Sequence, residues 1–380
     1  MKKIAHVQLL PLLSGAQRVS LDDELQRLPN DKFDKYLICC QIGPLTIEAE
    51  KLGIKCIIID SLTREISPIK DLKSLIHLIK IIKNYRFDII HTHSSKTGVI
   101  GRLAGFISKT PLIIHTVHGY SFPAAKNKIQ YIIYYIMERI GSMCGNKLIC
   151  LHETDKEIAI QKLKVKSNDI YIIPNGVDVK KYTPPSIENK QLYRKSLNLS
   201  KDDIVIGMTG RLWLQKNPIF LLENMLPLLI ENKNIKILFV GDGELKKELE
   251  KLISIYDLSK QVYLLGWRND IDRILQSIDI FTLPSKWEGM PLAILEAQSS
   301  GLPCIVSNIT GNNNLVSNNI DGFIFNLEPN SEEFRDKIKK LIYNKELRMK
   351  LGIKSREKVI LHHSIEQRIQ KIEMIYDELT

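Results

Sequence analysis

Six cysteines among 380 residues include no Cys-x-x-Cys pair, which argues against a disulfide or zinc framework. Cys39, Cys40, Cys56, Cys144, Cys150 and Cys304 lie mostly inside apolar strand-like runs, where reduced core thiols of a cytosolic protein are expected. No apolar run reaches the ~18 residues that a membrane-spanning helix needs. Lys2-Lys3 and the apolar stretch ending at Ser14-Gly15-Ala16 imitate a secretion signal, but His6, Gln8 and Pro11 interrupt it, so it reads as a first strand. There is no internal repeat, and Asn312-Asn313-Asn314 is too brief to count as low complexity. Acidic residues are scarce in one half only. Residues 1–185 hold 27 Lys and Arg against 17 Asp and Glu, and the remainder holds 27 against 26. That asymmetry points to a polyanionic partner of the first half: nucleic acid, an anionic membrane face or a phosphorylated substrate.

What is present is alternation. Seven apolar strand-like runs in the first half and six in the second are separated by segments of helical period, the pattern of an α/β chain with parallel sheets. The boundary is expected at Lys181-Tyr182-Thr183-Pro184-Pro185, where the charge balance also changes. This gives domains at 1–183 and 184–362, each doubly wound and Rossmann-like, with a closing helix over 363–380.

The segment Pro284-Ser285-Lys286-Trp287-Glu288-Gly289-Met290-Pro291-Leu292-Ala293-Ile294-Leu295-Glu296-Ala297 follows a buried strand, Ile280–Leu283. Pro291 suits a first helical position. The free N–H groups around Met290, Leu292 and Ala293 would then face the crevice beyond the strand ends. Glu288 lies in the loop and Glu296 inside the helix. Two carboxylates beside an anion site suggest a phosphorylated ligand that also carries hydroxyls. Gly210-Arg211 to Lys216-Asn217-Pro218 follows another strand at the same sheet edge, with Asn217 as a helix cap. A guanidinium fork and an ammonium in one loop suit a diphosphate. Gly241-Asp242-Gly243 is a weak phosphate-loop signal. Trp267, in Gly266-Trp267-Arg268-Asn269-Asp270, suits a nucleobase or domain packing equally.

Together these blocks resemble the retaining family-4 glycosyltransferases of the GT-B fold. They are joined by Ser300-Gly301-Leu302-Pro303, Ser14-Gly15-Ala16-Gln17, His91-Thr92-His93-Ser94-Ser95-Lys96, His115-Thr116-Val117-His118-Gly119 and Ile173-Pro174-Asn175-Gly176-Val177-Asp178. The resemblance is strongest to bacterial surface-polysaccharide and lipid-linked oligosaccharide transferases, and it covers nearly the whole chain. It implies two domains facing a central cleft, with the last helix crossing back to the first domain. It also implies a sugar, hexose or N-acetylhexosamine, moved from a nucleoside diphosphate to a hydroxyl of a polyprenyl-diphosphate-linked saccharide. UDP is the expected nucleotide and a GDP-mannosyl donor with a soluble acceptor the alternative.

Residue by residue, Arg211 and Lys216 would neutralise the diphosphate and Glu296 would accept the ribose hydroxyls. Glu288 and the N–H groups of Gly289, Met290, Pro291 and Leu292 (proline lending only its position) would hold the sugar and its phosphate. Trp267 and Arg268 would border the base, Gly15 would admit the diphosphate, and His118 would stand on the acceptor side. Catalytic roles thus fall to Glu288, His118, Arg211 and Lys216. One departure is that Ser14, Gly15 and Gln17 replace the family's frequent two glycines and glutamate. No cofactor or metal is expected, and His91, His93, His115 and His118 read as core or acceptor-pocket histidines.

Ile69–Asn84 reads as a basic amphipathic helix, with Lys70, Lys73, His77 and Lys80 on one face and Leu72, Leu75, Ile76, Ile79 and Ile82 on the other. With Lys126–Arg139 and its Tyr131, Tyr134 and Tyr135, it suggests peripheral attachment to the anionic inner face of the cytoplasmic membrane. Two other classes compete. A glycoside hydrolase would use Glu288 and Glu296 as its carboxylate pair, which leaves Arg211 and Lys216 without a task. A nucleic-acid module would need aromatics interleaved among its basic residues, and these are missing.

Overall fold

Runs rich in Ile, Val and Leu bury both faces when helices cover a parallel sheet, and the central strands do so: Ile89–His93, Leu112–Thr116, Ile280–Leu283 and Cys304–Ser307 are buried throughout. The computed structural model describes every residue except Ser14, Lys126, 328–331 and 379–380. Ser14 of the first loop and Lys126 therefore lie outside the described residues. Two compact units form: Met1–Asn175 with Glu366–Thr380, and Gly176–Ile365.

The first unit holds β1 (Lys2–Val7), β2 (Phe33–Cys39), β3 (Lys55–Ile58), β4 (Ile89–His93), β5 (Leu112–Thr116), β6 (Lys147–Cys150) and β7 (Ile170–Ile172). Their order is β3-β2-β1-β4-β5-β6-β7, all pairs parallel. One face is covered by Leu21, Leu25, Leu45 and, from the last helix (Ile365–Asp377), Ile369, Ile372, Ile375 and Tyr376. The other face packs on Leu78, Ile82, Ile100 and Ala104. The second unit holds β8 (Ile204–Thr209), β9 (Ile235–Val240), β10 (Val262–Leu264), β11 (Ile280–Leu283), β12 (Cys304–Ser307) and β13 (Gly322–Phe325) in the order β10-β9-β8-β11-β12-β13. Both sheets reverse their direction of growth once, between β1 and β4 and between β8 and β11. Those are the points where open α/β sheets bind ligands.

The units divide at Asn175–Gly176, eight residues before the expected boundary. The reason is local pairing. Val177 bonds His363 and Ile365 through its backbone, and Arg356 donates to the carbonyls of Val179 and Tyr182. Arg368, in the last helix, donates to the carbonyls of Ile173 and Pro174 in the first unit. All six cysteines are free thiols.

Two surface expectations need correction. In the Pro68–Tyr85 helix, Leu72 and Ile76 are exposed, whereas Ser74, Leu78 and Ile82 face the sheet. In the Lys128–Met143 helix the tyrosines turn inward, Tyr131 and Tyr135 packing edge-on to Phe122. Its isoleucines face solvent instead.

Candidate active site

At the β8/β11 reversal, two loops lie side by side. The loop after β8 carries Gly210 at φ 136°, a backbone state open to glycine, and a side chain there would press on the Lys216 stem. Lys216 Nζ reaches Glu288 Oε1 at 2.6 Å, and both side chains are largely buried. Ser285 Oγ donates to the same oxygen at 2.6 Å, while Gln215 Nε2 donates to the Trp287 carbonyl at 2.7 Å. The Lys286 N–H returns a bond to the Gln215 carbonyl at 2.8 Å. The β11 loop is fixed from below, because Ser307 Oγ donates to the Ser285 carbonyl at 2.5 Å and is itself held by Asn312. Gly311, at φ 95°, lies so close to the carbonyls of Glu288 and Gly289 that no Cβ fits.

The helix after this loop runs Leu292–Ser299, with Pro291 as its extended cap residue rather than its first helical one. Proline still removes no needed bond there, and the N–H groups of Leu292 and Ala293 stay in the first turn, where an anion is stabilised. Asn217 caps the Pro218–Glu231 helix in the left-handed conformation without the expected side-chain bond. Met290 is buried. Glu296, 9% exposed, accepts from Tyr182 Oη at 2.9 Å.

Not every expected cation is gathered. Arg211 is half-exposed, pairs with Glu244 at 2.5 Å and lies 5.0 Å from the Trp213 ring. Arg268 is clamped by both oxygens of Asp270, at 2.7 and 2.6 Å, which holds the carboxyl below its ordinary range. Trp267 is 65% exposed. The loop bearing it is tied to β9 by the Gly241 N–H bond to the Gly266 carbonyl, 2.8 Å.

In the first unit, Gly15 (φ 48°) follows β1 with open space around it. His118 follows β5, half-buried, with Nε2 3.1 Å from Nδ1 of His93. Burial pushes the His118 pKa down to about 3, so the ring is neutral at physiological pH. His6, His91 and His93 lie fully buried beside it with Glu24. Each site residue expected from sequence is thus described, and Lys216, Glu288 and the Leu292 helix start are brought together.

Sequence reasoning missed Ser285, Gln215, Tyr182 and Glu24. Ser285 and Gln215 stood inside the motifs, but nothing in a one-dimensional string tells which loop residues cross-brace. Tyr182 was visible only as part of a boundary.

Known proteins give the geometry its context. Residues 17–181 match the family described as Glycosyltransferase Family 4, and 189–358 match Glycosyl transferases group 1. The chain is 46% identical over 381 residues, 99% of its own length and 97% of the relative's, to the UDP-Gal:alpha-D-GlcNAc-diphosphoundecaprenol alpha-1,3-galactosyltransferase of Escherichia coli. It is 28% identical over 329 residues, 85% of each chain, to the N,N'-diacetylbacillosaminyl-diphospho-undecaprenol alpha-1,3-N-acetylgalactosaminyltransferase of Campylobacter jejuni. The fold is similar to the crystal structure of Anabaena HepE in complex with UDP and glucose, with a TM-score of 0.84, 18% identity and coverage of 99% of this chain and 100% of that one.

Proposed function

The chain belongs to glycosyltransferase family 4, and on that premise we propose that it moves galactose from UDP-galactose to a hydroxyl of a polyprenyl-diphosphate-linked saccharide in surface-polysaccharide assembly. The identity to the Escherichia coli galactosyltransferase over almost the full length supports the donor and acceptor classes. The observation that carries the chemistry is the Lys216–Glu288 pair at the β8/β11 reversal, 2.6 Å apart beside a helix start. An ammonium has three N–H donors. Lys216 can therefore bond a phosphate oxygen while still holding Glu288, which presents its other oxygen to the sugar.

In the proposed step the acceptor oxygen bonds to the anomeric carbon from the face that the diphosphate leaves. The carbon–phosphate-oxygen bond breaks, and the acceptor proton passes to the departing phosphate oxygen. Lys216, Arg211 swung from Glu244, and the N–H groups of Leu292 and Ala293 meet the developing charge. These groups perform the role a divalent ion plays elsewhere, so the transfer is expected to survive a chelator. The configuration at the anomeric carbon is retained, and no protein nucleophile takes part.

The assay is direct. Purified protein with a synthetic lipid-diphosphate N-acetylglucosamine acceptor is offered UDP-galactose, UDP-glucose, UDP-N-acetylhexosamines and GDP-mannose, with and without EDTA. Transfer of galactose in an α linkage, unaffected by EDTA, is expected. Transfer only from GDP-mannose, or a β-linked product, would overturn the reading.

Among the described residues no helix is long and apolar enough to cross a membrane. A lipid-linked acceptor nevertheless brings the enzyme to a bilayer surface, which we place at the inner face of the cytoplasmic membrane. The solvent-facing row Ile129, Ile132, Ile133, Ile136, Ile140 and Met143, continued by Phe106 and Ile107, suits that contact. Lys109 and Lys128 supply charge for anionic headgroups.

A further inference from the structure

The buried rings of the first unit form one continuous line of two-sided hydrogen-bonding groups. Thr116 Oγ1 lies 2.7 Å from His91 Nε2, and His91 Nδ1 lies 2.6 Å from the Tyr376 hydroxyl. That hydroxyl lies 3.1 Å from His6 Nε2, and His6 Nδ1 is 3.1 Å from His93 Nε2. His93 Nδ1 then meets His118 Nε2 at 3.1 Å, while His118 Nδ1 makes no bond to the described residues. A neutral imidazole has one donor and one acceptor, and the buried Tyr376 phenol, whose two partners here are these rings, must spend its O–H on one and a lone pair on the other or leave that O–H unpaired at a cost. Once one proton is placed, every other follows. The line has two states only. Either each ring points its proton toward His118, which then carries its own on Nδ1, or all protons point away and His118 Nδ1 is a bare lone pair.

Glu24 decides between them. Its Oε1 is held by Arg368 at 2.6 Å, and its buried Oε2 has no hydrogen-bond partner. That oxygen lies 3.4 Å from His91 Nδ1 and 3.8 Å from both His6 Nδ1 and His93 Nε2. The first state sets two N–H dipoles against the carboxylate, including the nearest. The second sets one, at the longer distance. The Ser20 hydroxyl, 2.9 Å from His6 Nδ1, donates or accepts equally and sets no direction.

We propose that Glu24, His91 and Tyr376 are positioning residues that fix His118 as the tautomer with its proton on Nδ1, making it a hydrogen-bond donor to a sugar or acceptor hydroxyl rather than a base. The functional half rests on the proposed transferase reading; the tautomer itself does not. Tyr376 is the critical link. Within the segment His6–His93–His118 alone, Glu24 lies 3.8 Å from either possible proton, so its preference reaches His118 only from His91 through the phenol.

The test is ¹⁵N–¹H two-bond correlation spectroscopy on protein labelled at the histidine ring nitrogens. It is run at pH 8.5, above the value of about 7 to which burial pushes Glu24, with His118→Asn assigning the ring. The wild type should show His118 protonated on Nδ1. Tyr376→Phe, which keeps the ring packed on Phe33, should give comparable populations of both tautomers. Thr116→Val, at the far end of the line, should leave the Nδ1 form intact. Protonation on Nε2 in the wild type, or no change in Tyr376→Phe, would overturn the proposal. So would a stoichiometric metal in the purified protein, since ligand atoms of His6, Glu24, His91 and His93 lie within 4.8 Å of one another and an ion would take the same lone pairs. No substrate is needed, so the spectra stand or fall apart from the transferase reading.

Discussion

Lys216 and Glu288 are each other's partner, and this separates the roles of the site's two carboxylates. Glu288 is braced by Lys216, Ser285 and Gln215 at the sheet reversal, where the sugar and its phosphate are proposed to lie. Glu296 is set into the helix and held by Tyr182, at the place proposed for the ribose. Glu296→Ala should therefore weaken UDP binding, seen as a higher Kd in calorimetry, with kcat nearly unchanged. Glu288→Ala should instead slow transfer with little change in Kd, and the opposite pattern would reverse the assignment. Lys216→Ala removes a cation from the leaving group and should cost kcat on the order of 10²-fold. Arg211→Ala should cost less, because Arg211 rests against Glu244 and Trp213 and must move to help. The residue types and their loops were legible in the sequence because each motif follows a strand directly. The pairing was not, because Lys216 and Glu288 are 72 positions apart and meet only when β8 and β11 become neighbours.

The Lys128–Met143 helix shows how much a sequence pattern says about an element and where it stops. From sequence, Tyr131, Tyr134 and Tyr135 read as part of an interfacial patch, and the isoleucines take no part in it. Tertiary packing turned the tyrosines inward, Tyr131 and Tyr135 edge-on to Phe122, and left the isoleucines in water. The helix can hold that exposed row because its other side is anchored. Glu138 pairs with Arg102 of the Ser95–Ile107 helix at 3.0 Å, both side chains buried. Breaking a buried pair from one side costs about 3–5 kcal/mol, so Glu138→Ala should lower the melting temperature clearly. Ile132→Asp with Ile136→Asp should do the reverse, leaving melting unchanged and abolishing flotation with anionic liposomes. Activity on a short-chain, water-soluble acceptor should persist in that double variant. Flotation equal to wild type would assign the row to another partner. The Pro68–Tyr85 helix, read from sequence as a basic amphipathic helix over Ile69–Asn84, serves as the comparison, and Lys70→Glu with Lys73→Glu should weaken flotation only at low salt.

At the scale of the whole chain, the strand alternation made both sheets readable, whereas the division of the molecule was set by a few backbone and guanidinium bonds that carry no sequence signature. The last helix belongs to the first unit, to which it contributes Ile369, Ile372, Ile375, Tyr376 and the Arg368–Glu24 pair. That unit also holds five histidines whose protonation is opposed by burial. His6 and His118 are pushed down to about 3 by burial, and His91, His93 and His115 are lowered well below 6.5. Unfolded, these rings bind protons below about pH 6.5, and folded they do not, so the stability they allow is lost as pH falls through that value. Glu24 and Asp155, raised by burial to about 7, act oppositely: they hold protons when folded and favour the fold as pH falls from 7 toward the ordinary carboxylate range. Asp23, also raised by burial, adds to them. Five rings outweigh three carboxyls between pH 6.5 and about 4.5, so net stability should fall across that window. Removing residues 364–380 strips the first unit of that helix and exposes Leu21 and Leu25 beneath it, while leaving the second unit's sheet intact. Differential scanning calorimetry of the truncated chain at pH 7.5 should therefore show the second unit melting near its original temperature, with the first unit's transition lost. In the full chain, lowering pH from 6.5 to 4.5 should move the first unit's transition down and leave the second's in place. A single transition shifting as one in both experiments would mean that the buried histidines and the last helix stabilise the whole molecule rather than one half.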